Sequence, residues 1–89
     1  MKSKRTRQFH ELYDALPKGV QKQADKAYEM FVLDEHHPGL NFKSLEIDIA
    51  WYSVRIGINY RAVCVLDPPN WVWFWIGSHA DYDKLLKQR

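Results

Sequence analysis

Three side chains in the second half of this sequence are spaced for work on an anion. Arg55 and Arg61 flank the triplet Gly57-Ile58-Asn59. If that triplet is the loop of a hairpin, Ile56 pairs with Tyr60 and Arg55 with Arg61, which puts both arginines on one face of a sheet. A two-residue loop would send them to opposite faces, because a slip of one residue inverts every side chain. Gly57 and Asn59 suit the positive φ that a three-residue loop needs, so the sequence predicts the longer loop. Neighbouring guanidiniums repel each other, and a bound anion between them relieves this. Phosphate fits well, since each arginine can donate two parallel hydrogen bonds to it. The plainer alternative is a pair of solvated strand arginines offset by acidic neighbours such as Glu46 or Asp48.

His79 is the third. Ser78 has the character of a helix N-cap, with Asp81 at the capping-box position, so His79 falls in the first turn of a helix. The positive end of a helix disfavours an imidazolium, and a histidine there is suited to accept a proton. A surface histidine with no chemical task is the alternative. Trp71, Trp73 and Trp75 alternate along one segment and share one face if it is a regular strand. Exposed, they form a platform on which bases stack; otherwise they are core. The smaller Val72, Phe74 and Ile76 are expected to face the helices, leaving Trp75 nearest the arginines. His36 and His37 are adjacent and lack metal-ligand spacing, so no metal and no cofactor is expected. Cys64 lies in a strand without a basic partner and reads as packing.

The elements that must position these residues follow from periodicity. Lys4–Gln8 is a candidate edge strand protected by its charges. Phe9, Leu12, Tyr13 and Leu16 mark one face of a short helix, which Pro17 and Gly19 end. Val20, Ala24, Ala27, Tyr28 and Phe31 repeat that spacing and predict a longer helix over Lys18–Leu33. The two form a helical hairpin. His36–Asn41 is a loop. Trp51–Ile58 alternates as a half-buried strand, Tyr60–Leu66 is a second, and Trp71–Ile76 a third that is apolar on both faces and therefore central or covered. Asp67-Pro68-Pro69-Asn70 turns between the last two. Tyr82, Leu85 and Leu86 give a short last helix one apolar side. The expectation is an α+β domain: an N-terminal strand and helical hairpin on one face of a small, mainly antiparallel sheet, with a short C-terminal helix.

Size and composition agree with a single domain over residues 1–89. The chain is 46% hydrophobic and 15% aromatic, too apolar for a disordered segment. One cysteine allows no internal disulfide, which fits a reducing compartment. The basic start is followed by no apolar run, so neither a signal peptide nor a membrane span is expected, and the location expected is cytoplasmic. Net charge is +2. The basic residues crowd the two ends, Lys2, Lys4, Arg5 and Arg7 at one and Lys84, Lys87 and Arg89 at the other, a pattern that also suits plain solvating tails.

Three stretches in this order resemble a known group: His37-Pro-Gly-Leu-Asn-Phe-Lys-Ser-Leu45, Tyr52-Ser-Val-Arg-Ile-Gly-Ile-Asn-Tyr-Arg61 and Phe74-Trp-Ile-Gly-Ser-His-Ala-Asp-Tyr82. Together they are similar to the RelE/ParE toxin superfamily, and the ending is similar to its YafQ and HigB-like branch. The resemblance runs from Phe9 to Leu86. It implies the toxin of a bacterial type II toxin–antitoxin system, with a cognate antitoxin as partner. In the RelE branch it implies a metal-independent endoribonuclease that cuts messenger RNA on the ribosome, the ribose 2′-hydroxyl attacking the adjacent phosphate.

Carried over by position, the resemblance implies Arg61 and Arg55 on the scissile phosphate, His79 moving the proton, and Tyr82 completing the catalytic set. It implies RNA contacts by Lys43, Ser53, Trp75, Lys4 and Arg7. Ser53 departs from the pattern, standing where RelE has a second lysine. Leu85 stands where RelE has its late tyrosine, so Tyr82 would have to serve one turn earlier. The ParE branch shares the fold but inhibits DNA gyrase by binding alone, and a relic without toxicity is a third possibility, because fold does not fix function.

Overall fold

The first helix starts where the sequence supplies a cap. Thr6 accepts from the backbone N–H of Phe9 at 3.1 Å and opens α1 (Arg7–Asp14). Pro17 precedes α2, which spans Lys18–Leu33, the boundaries that periodicity predicts. The computed structural model describes residues 2–45 and 50–88, so the expected acidic neighbours Glu46 and Asp48 lie outside the described residues.

Five strands form one sheet: β1 (Lys2–Arg5), β2 (Lys43–Ser44), β3 (Trp51–Ile56), β4 (Tyr60–Asp67) and β5 (Asn70–Ser78), in the order β1-β5-β4-β3-β2. All neighbours are antiparallel except β1 and β5. The expected edge strand is present but displaced: it runs over Lys2–Arg5, parallel to β5, and Thr6, Arg7 and Gln8 cap and begin α1 instead. The two-residue β2 is not among the expected strands. Between them, β5 sits inside the sheet, as its two apolar faces require.

α1 and α2 cover one face. Phe9 from α1 and Ala24 and Phe31 from α2 bury against Val54, Ile56, Ala62, Cys64, Trp71, Trp73 and Ile76. The Phe31 ring meets Trp73 edge-on at 5.0 Å and Phe42 at 5.2 Å, contacts worth about 0.5–1.5 kcal/mol each beyond their burial. Ser3 ties the first strand into this layer: its hydroxyl accepts from Trp73 Nε1 at 2.9 Å and from Tyr28 at 3.0 Å.

This overturns the expected arrangement of the tryptophans. Trp71 and Trp73 face the helices, and only Trp75 points the other way. The cause is a β-bulge: Val63 pairs with Trp75 but Cys64 pairs with Trp73, leaving Phe74 as an extra residue on β5. An inserted residue resets the alternation. Trp71 and Trp73, not Val72 and Phe74, fill the space below the helices, while Ile76 faces them as expected.

A second apolar layer closes the other face. α3 (His79–Lys87) lays Tyr82, Leu85 and Leu86 over Val63, Leu45, Trp51, Phe74 and Trp75. The helices are therefore not confined to one side: the hairpin packs on one face and α3 on its opposite.

Candidate functional site

The hairpin between β3 and β4 has the three-residue loop that Gly57 predicts. Ile56 pairs with Tyr60 and Arg55 with Arg61. Gly57 supplies the positive φ, at 59°. Asn59 is not among the residues with positive φ, and its carbonyl accepts instead from the backbone N–H of His79 at 2.7 Å. One row across three strands then reads Arg55, Arg61 and Gly77, with His79 two residues beyond Gly77.

The loop carbonyls hold this row. Arg55 donates through Nε to the Gly57 carbonyl at 3.1 Å. Arg61 donates through one terminal nitrogen to the Tyr60 carbonyl at 2.8 Å and to that of Ile58 at 3.3 Å. These bonds leave both terminal nitrogens of Arg55, and Nε and the second terminal nitrogen of Arg61, for another acceptor. Arg55 is exposed and Arg61 half-buried. No ion pair within 4.0 Å joins either arginine to a carboxylate among the described residues.

Ser78 caps α3 as predicted, accepting from the Asp81 N–H at 3.2 Å. His79 is the first helical residue, half-exposed, with Nδ1 3.3 Å from the Asp83 carboxylate. Its ring stands edge-on to Tyr82 at 5.9 Å. Trp75 lies 6.3 Å from Tyr82, and its indole crosses the Cα of Gly77 so closely that a Cβ there would come within 2.8 Å of the ring. Glycine at 77 is thus what lets Trp75 lie flat along the strand end.

The structure gathers Arg55, Arg61, Trp75 and His79 at this end of one face. Lys43 joins them from the edge: it is exposed and pairs with Ser53, two residues from Arg55. Two expected site residues, Ser53 as an RNA contact and Tyr82 as a member of the catalytic set, are enclosed instead. Ser53 is 1% exposed and Tyr82 7%, and the tyrosine hydroxyl donates to Ser53 Oγ at 3.3 Å. Ser53 lies beneath α3 and Tyr82 is on the buried side of that helix, which the sequence places on no particular face. Two others lie elsewhere. Lys4 stands opposite Val72, near the far end of β5. Arg7 projects from α1 into solvent, paired with Glu11 at 3.3 Å.

Asp83, Gly77 and the run of loop carbonyls are members that sequence reasoning overlooked. Only Asp83 left a signal, its i+4 spacing from His79. His37, set aside as a metal ligand, uses Nδ1 to accept from the Gly39 N–H at 3.0 Å in the Pro38–Leu40 turn. No group of three or more His, Cys, Asp or Glu suited to a metal occurs among the described residues, and no helix there is long and apolar enough to cross a membrane.

The ParE-like toxin domain family matches residues 18–84. Among solved structures, the fold is similar to a chain of the RelB–RelE antitoxin–toxin complex from Methanococcus jannaschii, at TM-score 0.74 and 13% identity, covering 91% of this chain and 95% of that one. It is also similar to a copper-bound mutant toxin from Helicobacter pylori, at TM-score 0.64 and 13% identity, covering 91% and 97%. No curated protein matches the chain.

Proposed function

The chain belongs to the family of ParE-like toxin domains, and on that premise we propose that it is the toxin of a toxin–antitoxin pair that cuts messenger RNA on the ribosome, in the cytoplasm, with no metal or cofactor. The observation that carries this reading is the row Arg55, Arg61, Gly77 ending at His79. It offers two cations for one phosphate and an imidazole for one proton.

The chemistry is transesterification. His79 accepts the proton of a ribose 2′-hydroxyl, whose oxygen attacks the neighbouring phosphorus. The bond to the 5′-oxygen breaks, and that oxygen takes a proton from solvent. The products are a 2′,3′-cyclic phosphate and a 5′-hydroxyl end. Negative charge grows on the phosphoryl oxygens, where the free guanidinium donors would meet it. One such donor is typically worth ~3–4 kcal/mol of barrier, and a positioned base roughly 100- to 10,000-fold in rate. Trp75 supplies a face for a flanking base, and Lys43 a contact to the RNA backbone. The Gly77–Tyr82 ending supports kinship with the YafQ and HigB-like branch.

An antitoxin is the expected partner. Val32 and Leu33 are 62% and 87% exposed, and they flank a groove of about 660 Å³ between the end of α2 and Lys2 and Ser3 of the edge strand. An extended partner that sets apolar side chains on Val32 and Leu33 and polar groups against Lys2, Asp34 and Glu35 would fit there. Induction followed by primer extension on translated messages tests the activity: new cuts are expected, and His79→Ala should remove them. Toxicity with intact messages would refute it.

A second reading has an observation in its favour, namely that the matching family is described as ParE-like. On that reading the protein inhibits DNA gyrase by binding. Loss of supercoiling by purified gyrase, unaffected by His79→Ala, would select it.

A further inference from the structure

Asp83 is assigned no role by the resemblance, yet it completes a set of contacts that fixes one imidazole. Four restraints converge on His79. Its backbone N–H is bound to the Asn59 carbonyl at 2.7 Å. Its position as first residue of α3 is set by the Ser78 cap. Its ring rests edge-on against Tyr82 at 5.9 Å and 62°, and Tyr82 is itself anchored through its hydroxyl on buried Ser53. Its Nδ1 meets the Asp83 carboxylate at 3.3 Å, one helical turn on.

The two ring nitrogens are not equivalent, and the partner of one decides what the other does. The contact with Asp83 is an ion-pair approach and not a hydrogen bond, and it acts through charge. An anion beside Nδ1 favours the tautomer protonated there, with the lone pair on Nε2. When Nε2 takes up a proton, the imidazolium formed has an anion on its far side, the logic of the carboxylate in an acid–base triad. Asp83 is 53% exposed, and an exposed pair of this kind adds little to stability. Its effect is orientation rather than cohesion.

We infer that Asp83 is a positioning residue that makes Nε2 of His79 the proton-accepting atom of this site. The inference rests on the ribonuclease reading above. Two measurements test it. In the free protein at pH 9, ¹⁵N spectra of the imidazole should show the Nδ1-protonated tautomer in excess, and Asp83→Asn should shift the population toward the Nε2-protonated form. In single-turnover cleavage on programmed ribosomes, Asp83→Asn should lower the rate constant about tenfold at saturating toxin, well short of the roughly 10⁴-fold loss known for a buried triad carboxylate. The concentration giving half-saturation should not change, and Asp83→Glu should restore most of the rate.

A tautomer balance indifferent to Asp83→Asn would overturn the inference. So would wild-type cleavage rates in Asp83→Asn alongside an inactive His79→Ala, an outcome that leaves the ribonuclease reading standing. No cleavage by the wild-type protein would remove the reading and the inference together.

Discussion

The backbone N–H of His79 donates to the Asn59 carbonyl at 2.7 Å, so the tip of the β3–β4 hairpin and the start of α3 are one structural unit. The same loop receives Arg55 on the Gly57 carbonyl and Arg61 on those of Ile58 and Tyr60. Two arginine side chains and the backbone of His79, from three elements, are thus referenced to four consecutive carbonyls. Such preorganisation costs nothing further when charge develops on a substrate.

Gly57→Ala tests that unit. The positive φ of 59° disfavours any L side chain, and a Cβ would come within 2.8 Å of Gln23 Oε1, the mobile end of a side chain that can withdraw. The backbone term dominates, at about 1–2 kcal/mol. Urea unfolding should show that loss, and the RNA-cleavage rate should fall by more than the change in folded fraction explains.

Gly77→Ala tests the seat of Trp75. A new Cβ would meet the indole at 2.8 Å, and overpacking of this kind costs about 1–3 kcal/mol. We expect the ring to leave the strand end, with lower stability in urea and altered tryptophan fluorescence of the folded protein. Unchanged fluorescence and stability would mean that the ring is not held there.

Tyr82→Phe separates support from chemistry. The tyrosine is 7% exposed, and among the described residues its hydroxyl reaches only Ser53, itself 1% exposed. Removing it should cost about 1 kcal/mol of stability and leave cleavage within a few-fold of wild type. A loss comparable to that of His79→Ala would return Tyr82 to the reacting set.

Cys64 carries a pH prediction. Burial, and secondarily the Glu35 carboxylate, push its thiol well above the usual range. The folded state keeps the proton while the unfolded thiol releases it near pH 8.5. Its stabilising contribution is therefore complete below that pH and is lost as pH rises, by up to ~1.4 kcal/mol per pH unit. Between pH 8 and 9.5 the wild type should lose more stability than Cys64→Ala. A thiol reagent should label Cys64 only on unfolding.

Much of the fold was legible because local signals were strong. Lys18–Leu33 has an uninterrupted helical stripe, Ser78 is a ready cap, and Gly57 selects the loop that sets Arg55 beside Arg61. The misreadings were non-local. The bulge at Phe74 has no sequence signature in a run apolar on both sides, so strict alternation put three tryptophans together when the strand separates Trp75 from Trp71 and Trp73. Tyr82 and Ser53 looked accessible because nothing in a nine-residue helix says which sheet face it will cover. β2 is only two residues long, too short for periodicity to register.

The central claim is that Arg61, Arg55 and His79 act on one RNA phosphate. Purified toxin added to ribosomes carrying a defined message tests it most directly, with the ends of any fragments analysed chemically. The account predicts cuts bearing 2′,3′-cyclic phosphate and 5′-hydroxyl ends, at rates reduced at least 100-fold by Arg61→Ala or His79→Ala. Intact message, or cuts that persist at the wild-type rate in both variants, would contradict it.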